Sequence, residues 1–377
     1  MDFDFTEKER QLCAKVKDLF GEDGGGTLST LESREPDEVK SVSLKWLQEL
    51  ASIGYLSPGL VDNGRNSPGL VLMQETLAAI SPSLFLIVEV SARIFGRLVA
   101  KFGAQGQRES ILGQVVAGKC LGAVALSEGG MNVEVNPFET KAVPSEKGFS
   151  ITGFKGHVVN GPVADWIAVS ATLDSKTALF MVKAQSHGLS TSQRFSTPGF
   201  EGTPICSVTL RDCFVPAESM IGPFEGQDVV KTIRMWEDQV LTSASLGLMR
   251  RCFDSAVKYA KEHKSGSKPI IAYQEVGFKL AEMLTLFQTA QLLAYRAAWM
   301  SETKDKEAAM LSHCAKVFCA EAAEKVASYG LQILGGQGYL RGNPVEEGYR
   351  NAKYLQIAGT SLEISRMKIG DGLLEGV

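Results

Sequence analysis

The chain has 377 residues, 44% hydrophobic and 22% charged, and 39 Lys and Arg against 43 Asp and Glu give a formal net charge of −4. This is the composition of an ordinary globular chain, long enough for two or three domains that each bury a core. The absence of a basic tail or Lys/Arg cluster argues against nucleic acid as a partner, and no apolar run reaches the ~18 residues of a membrane span. The seven cysteines form no CxxC pair and the four histidines offer no zinc spacing, so the cysteines are expected to be buried or free thiols in a reducing compartment. The opening MDFDFTEKERQL is acidic and helical rather than signal-like. A cytoplasmic protein is the expectation.

In chain order, the spacing of apolar residues predicts a helix over 5–19, then a flexible break at GEDGGG (21–26). Short amphipathic helices follow over 43–53 and 69–80. A nearly continuous apolar helix over 83–102 is expected to be buried on most sides. From 119 to 223 the signal changes to short β-branched or alternating runs at 121–126, 149–151, 166–171, 178–182 and 207–210. Gly, Pro and Asn punctuate them, which argues for a β-sandwich or barrel. After Gly226 helical periodicity returns at 228–263, 274–303, 306–334 and from Pro344, which suggests an antiparallel bundle. The expected class is α+β multidomain: a helical domain (1–118), a middle β-domain (119–226) and a four-helix bundle (227–377).

GGQG at 335–338 follows a helix rather than a strand, so it is no dinucleotide fingerprint; by itself it reads as a helix cap. The strings LSEGGMNVEV (126–135), ITGFKGHVVNG (151–161), CFVPAESMIG (213–222), ILGGQGYL (333–340), PVEEGYRNAK (344–353) and IAGTS (357–361) together resemble the acyl-CoA dehydrogenase family, in family order along nearly the whole chain. The resemblance implies an acyl-CoA dehydrogenase-like fold. It also implies a homotetramer built as a dimer of dimers, and FAD held between the β-domain and the bundle, partly by a neighbouring subunit. The implied reaction removes a proton α to an acyl-CoA thioester and moves a hydride from Cβ to the flavin. Such chemistry needs a carboxylate base, donors to the thioester oxygen, and a held flavin.

In many family members the base is a Glu just before the Gly-Thr of the loop that here reads IAGTS, a position filled by Ala358. A smaller branch carries the Glu on the first bundle helix, and counting back from LGLMRR that position is Glu237. Glu237, Leu241, Ala244 and Leu248 also share one helical face, and a carboxylate on an apolar stripe is expected to be desolvated, which suits a base. The same residue at a helix start would also simply complement the dipole. Asp238 stands where the family usually has Arg, and adjacent helical residues point about 100° apart, so one of the two acids is expected in the pocket. Glu89 is either a salt-bridge partner of Arg93 at i+4 or a second acid near the acyl tail. The resemblance assigns an oxyanion donor to the Ala358 backbone N–H, and small Ala358 and Gly359 leave room for a branched or alicyclic acyl group.

The resemblance also implies that Leu126 and Ser127 meet the pyrimidine edge of the flavin. Asn132 and Val133 replace a Gly-Ser pair near phosphate and substrate; His157 replaces a stacking Trp and Val159 a Thr hydroxyl. His157 either stacks on the flavin or is an ordinary surface histidine. Gln274, Gln332, Gly335 and Gly336 match positions that reach the dinucleotide across a subunit interface; His263 replaces an Arg there, and Thr360 matches. An electron-transfer flavoprotein is the implied electron acceptor. The substitutions at Val133, His157 and Val159 keep a second expectation open, a flavin-poor or silent subunit of a heteromeric complex.

Overall fold

The computed structural model describes residues 5–21, 31, 34–60, 67–130, 132–303 and 307–374. The expected break at 21–26 lies, but for Gly21, outside them. The N-terminal part holds α1 (Glu7–Phe20), α2 (Pro36–Ser52), α3 (Pro68–Ile80), α4 (Pro82–Glu89), α5 (Arg97–Phe102) and the short α6 (Gln105–Gln107) and α7 (Gly113–Val116). Local chemistry sets the ends. The Thr6 hydroxyl accepts from the Glu9 N–H while the Glu9 carboxylate accepts from the Thr6 N–H, a capping box, and Ser67 and Ser81 cap α3 and α4 with Pro at the first helical position. The apolar helix predicted over 83–102 is buried as expected but not uniform. Val90–Gly96 between α4 and α5 is π-helical, a widened turn that rotates the faces on either side of it.

Among the described residues eight strands form one sheet: β1 (Gly122–Ala125), β2 (Lys141–Ser145), β3 (Gly148–Val159), β4 (Trp166–Leu173), β5 (Lys176–Lys183), β6 (Leu189–Thr191), β7 (Ile205–Pro216) and β8 (Met220–Phe224). The order is β6-β7-β3-β2-β4-β5-β8, with β1 parallel to β4. The runs predicted at 149–151 and 207–210 are pieces of the long β3 and β7. These pair antiparallel over their whole length, with register shifts near 151–153 and 155–158 that interrupt the alternation a sequence can display. The exposed β2 and β8 carry no apolar alternation and were not foreseen. In β4 and β5 alternation sorts side chains between two cores. Ala168, Leu179 and Met181 face the helices, while Ile167, Val169, Ala178, Phe180 and Val182 pack within the β-domain.

The C-terminal part holds α8 (Asp228–Glu262), the hairpin β9 (Lys264–Ser265) and β10 (Lys268–Pro269), α9 (Gln274–Glu302), α10 (Ala308–Leu334), α11 (Pro344–Ile357) and α12 (Leu362–Leu374). The segment from Pro344 is thus two helices, broken at the IAGTS loop. One continuous apolar core joins these helices to α1, α3 and α4; a second core lies inside the sheet domain. Close packing of α3 on α8 requires Gly247, where a Cβ would come 2.5 Å from the Ala78 Cβ. Glu75, fully buried on α3, accepts from Arg250, Gln291 and Tyr295 and binds the two helical regions further.

Candidate active site

A cavity of about 590 Å³ opens where the three regions meet, within the range of small-molecule sites. Leu86, Val90 and Ile94, on α4 and the π-helical stretch, form one wall. Leu126, Ser127, His157 and Val159 form a second, and Glu237, Leu241, Tyr354, Ala358 and Gly359 a third. Phe195, in the irregular segment before β7, meets His157 edge-on at 5.7 Å between ring centroids. The wall is largely apolar, and Glu237 is the one carboxylate on it among the described residues.

Glu237 lies one helical turn from the apolar Leu241, Ala244 and Leu248 stripe, all three buried. Its carboxylate is not the lone desolvated acid the sequence suggested. The Arg234 Nη1 donates to Glu237 Oε2 at 2.6 Å, and Nη2 donates to the Ser127 Oγ at 2.8 Å. The two side chains are 12% and 19% exposed. Burial acts to lower the Arg234 pKa, but the Glu237 carboxylate together with the Asp238 and Glu134 charges more than offsets it and the net shift is upward. The Tyr354 hydroxyl is pushed well up, by burial and then by the Glu237 charge.

Asp238 does not line the cavity. It is 1% exposed, faces away from Glu237 as helical geometry requires, and accepts from the Thr360 N–H at 2.8 Å. Lys316 lies 3.9 Å away and donates to the Ala358 carbonyl at 3.1 Å, so acid and base together clamp the 358–360 loop. Burial raises Asp238 to about 6 and lowers Lys316 to about 8. Gly359 at φ +67° lets the loop lie against α8. The expected oxyanion donor at Ala358 is engaged: its N–H donates to the Tyr354 carbonyl at 2.9 Å, closing α11.

Glu89 also stands outside the cavity, although Leu86 and Val90 beside it line the wall. It is fully buried, accepts from the Tyr55 hydroxyl (2.8 Å) and the Gln74 amide (2.6 Å), and lies 3.9 Å from the Arg93 Nε. Those contacts make it a core polar link rather than a group near an acyl tail. Of the cofactor candidates, Leu126, Ser127, His157 and Val159 reach the cavity. Asn132 is half-buried, its Oδ1 accepting from the Glu134 N–H, and Val133 is buried away from the cavity. The Thr360 hydroxyl is buried and donates to Glu134 at 3.4 Å. His263 stacks on Tyr259, and with Gln274, Gln332, Gly335 and Gly336 it is exposed at helix ends outside this cavity. Arg234, Phe195 and Tyr354 were not foreseen. Arg234 had a readable signal, since it precedes Glu237 by three residues, whereas the segment around 195 has no periodicity to read.

Residues 225–374 match the family model described as acyl-CoA dehydrogenase, C-terminal domain. The chain is similar to mitochondrial isovaleryl-CoA dehydrogenase of Oryza sativa subsp. japonica, 30% identical over 81% of this chain and 76% of that protein. It is also similar to benzylmalonyl-CoA dehydrogenase of Aromatoleum aromaticum, 28% identical over 98% of both chains. The fold matches butyryl-CoA dehydrogenase of Megasphaera elsdenii with a TM-score of 0.88 and 24% identity, covering 99% of this chain and 100% of that one. These relatives set the class of the chain, the flavin-dependent oxidoreductases acting on carbon–carbon bonds, and among the described residues its mostly apolar cleft carries one wall carboxylate. In particular, the chain belongs to the acyl-CoA dehydrogenase family.

The cavity suits the ring end of FAD. It offers apolar Leu126 and Val159, an aromatic edge from His157 and Phe195, and the polar Ser127 at one rim. That is the donor set a flat heteroaromatic ring requires.

Proposed function

We propose that this chain is an FAD-dependent acyl-CoA dehydrogenase in which Glu237 takes the α-proton of an acyl-CoA thioester, with domains at 1–118, 119–226 and 227–377. The observation that carries this reading is that Glu237 is the one carboxylate on the cavity wall among the described residues. When bound, FAD supplies the acceptor for the β-hydride; Leu126, Ser127, His157 and Val159 would hold its ring. The apolar Leu86, Val90, Ile94 and Leu241 exclude water and take the acyl chain, with room beside Ala358 and Gly359 for a branched or alicyclic group. Glu237 accepts the proton on a side-chain oxygen; Arg234 holds Oε2, which leaves Oε1 as the accepting atom while the pair is closed. The Asp238–Lys316 clamp fixes the loop that forms the floor.

We place the dinucleotide partly on a second copy of the chain in a homotetramer. The exposed His263, Gln274, Gln332, Gly335 and Gly336 support this, as do the exposed apolar Phe278, Tyr339 and Ile357 on the helical face. An electron-transfer flavoprotein is the acceptor in this reading, and the cytoplasm its place. The described residues include no helix long and apolar enough to cross a membrane. A flavin-poor subunit of a heteromeric complex has one observation in its favour: Val133 and Thr360 face protein rather than the cavity.

Visible absorbance of the purified protein separates these readings, and Glu237→Gln tests the base. Flavin bands should be present. With a dye acceptor and a panel of acyl-CoA thioesters, Glu237→Gln should lower turnover by about 10²–10⁴-fold with the fold intact. Retained turnover would remove Glu237 from the role; absent flavin would favour the partner subunit.

A further inference from the structure

Resting on the dehydrogenase reading, we propose that the natural substrate is an acyl-CoA whose acyl group carries a second, free carboxylate, and that Arg234 is the residue that binds it. The guanidinium sits in the cavity wall, 12% exposed, and the carboxylate it pairs with directly is the candidate base. The guanidinium occupies Glu237 Oε2, so that oxygen becomes free to face a substrate only when another anion takes its place on Arg234. Breaking the pair leaves a nearly buried cation with only the neutral Ser127 hydroxyl in hydrogen-bond contact and the Asp238 and Glu134 charges farther off, which is unfavourable. A substrate carboxylate removes that penalty by replacing Glu237 on the planar fork, which suits a carboxylate bidentately.

The other cations on the wall are not in this position. Arg350 is held by Glu346 and Glu201 at 2.8 Å, and Lys353 by Glu324 and Gln356. Arg234 alone shares its counter-charge with the proton acceptor. It stands one turn before Glu237 on α8, so a carboxylate on its fork would lie only a few bonds from the thioester Cα, as in a short dicarboxylic acyl group. The carboxylate makes and breaks no bond; it frees the base. A monocarboxylic thioester would fill the same apolar wall and leave the Arg234–Glu237 pair closed.

The test uses the purified, flavin-loaded protein and two inert thioethers of CoA with equal chain length, S-(4-carboxybutyl)-CoA and S-pentyl-CoA, titrated by calorimetry. The wild type should bind the carboxylated ligand about tenfold or more tighter, and Arg234→Gln should abolish that preference while changing S-pentyl-CoA affinity less than about threefold. Equal weakening of both ligands, or a shifted flavin spectrum with the preference intact, would assign Arg234 to the cofactor and overturn the proposal. So would a wild type with no preference. Should Arg234→Gln fail to fold, Arg234→Lys keeps the charge without the fork and should lose affinity for the carboxylated ligand alone; no loss overturns the proposal. Turnover of pentanoyl-CoA and glutaryl-CoA separates the two levels: pentanoyl-CoA oxidised without carboxylate preference in binding leaves the dehydrogenase reading standing and this one refuted. Carboxylate preference in binding with no thioester oxidised does the reverse.

Discussion

Gly359→Ala probes the contact on which the site geometry turns. At φ +67° an L side chain costs about 1–2 kcal/mol relative to glycine. The added Cβ would also come 2.6 Å from Asp238 Oδ1, 3.1 Å from Leu241 Cδ1 and 3.5 Å from the Glu237 Cβ. Asp238 cannot swing aside freely, because it accepts from the Thr360 N–H and faces Lys316. Overpacking of that kind adds about 1–3 kcal/mol, so the variant should lose about 2–5 kcal/mol in urea unfolding followed by tryptophan fluorescence. Gly21→Ala supplies the matched control: φ is +60°, nothing lies within 4 Å of the added Cβ, and about 1–2 kcal/mol is expected. Because the clash displaces Asp238 and Leu241, and with them the loop that floors the cavity beside Glu237, turnover in Gly359→Ala should fall about tenfold or more. A stability loss equal to that of Gly21→Ala within about 0.5 kcal/mol would refute the argument that Asp238 holds the loop against α8.

Two further outcomes follow from the buried charges. Asp238 is raised by burial from 3.8 to about 6. A carboxylate raised on folding contributes fully below pH 3.8 and loses that contribution as pH rises through 6, about 3 kcal/mol for this shift. The stability of the wild type relative to Asp238→Asn should therefore fall by about that amount between pH 4 and 7, and a pH-independent difference in urea unfolding would contradict it. In the β-domain, Lys155 is fully buried, donates to Glu128 at 2.6 Å and Ser170 at 2.9 Å, and lies 4.3 Å over the Phe138 ring. Lys155→Met takes the counter-ion from a Glu128 carboxylate that still accepts from the Glu139 and Thr140 N–H groups and the Thr140 hydroxyl, and should cost about 3–5 kcal/mol in urea unfolding. A loss under about 1 kcal/mol would show that those donors, not Lys155, hold the Glu128 charge.

The order of helical, β and helical segments was readable because each period survives in the chain: 3.6 residues in α1, α3 and α8, and two in β4 and β5. The candidate base was readable too, since Ala358 left one loop position without an acid and Glu237 stood on an apolar stripe. What the linear chain could not display was partnership. Arg234 against Glu237, Asp238 behind the loop, and Glu89 bonded to Tyr55 and Gln74 rather than near the cavity all depend on which side of a helix meets which neighbour. The π-helical turn at Val90–Gly96 and the register shifts of β3 and β7 likewise follow from packing against other elements. Periodicity says that a face is buried; what it is buried against, and therefore whether a charge there is paired, is decided only when distant segments close on one another.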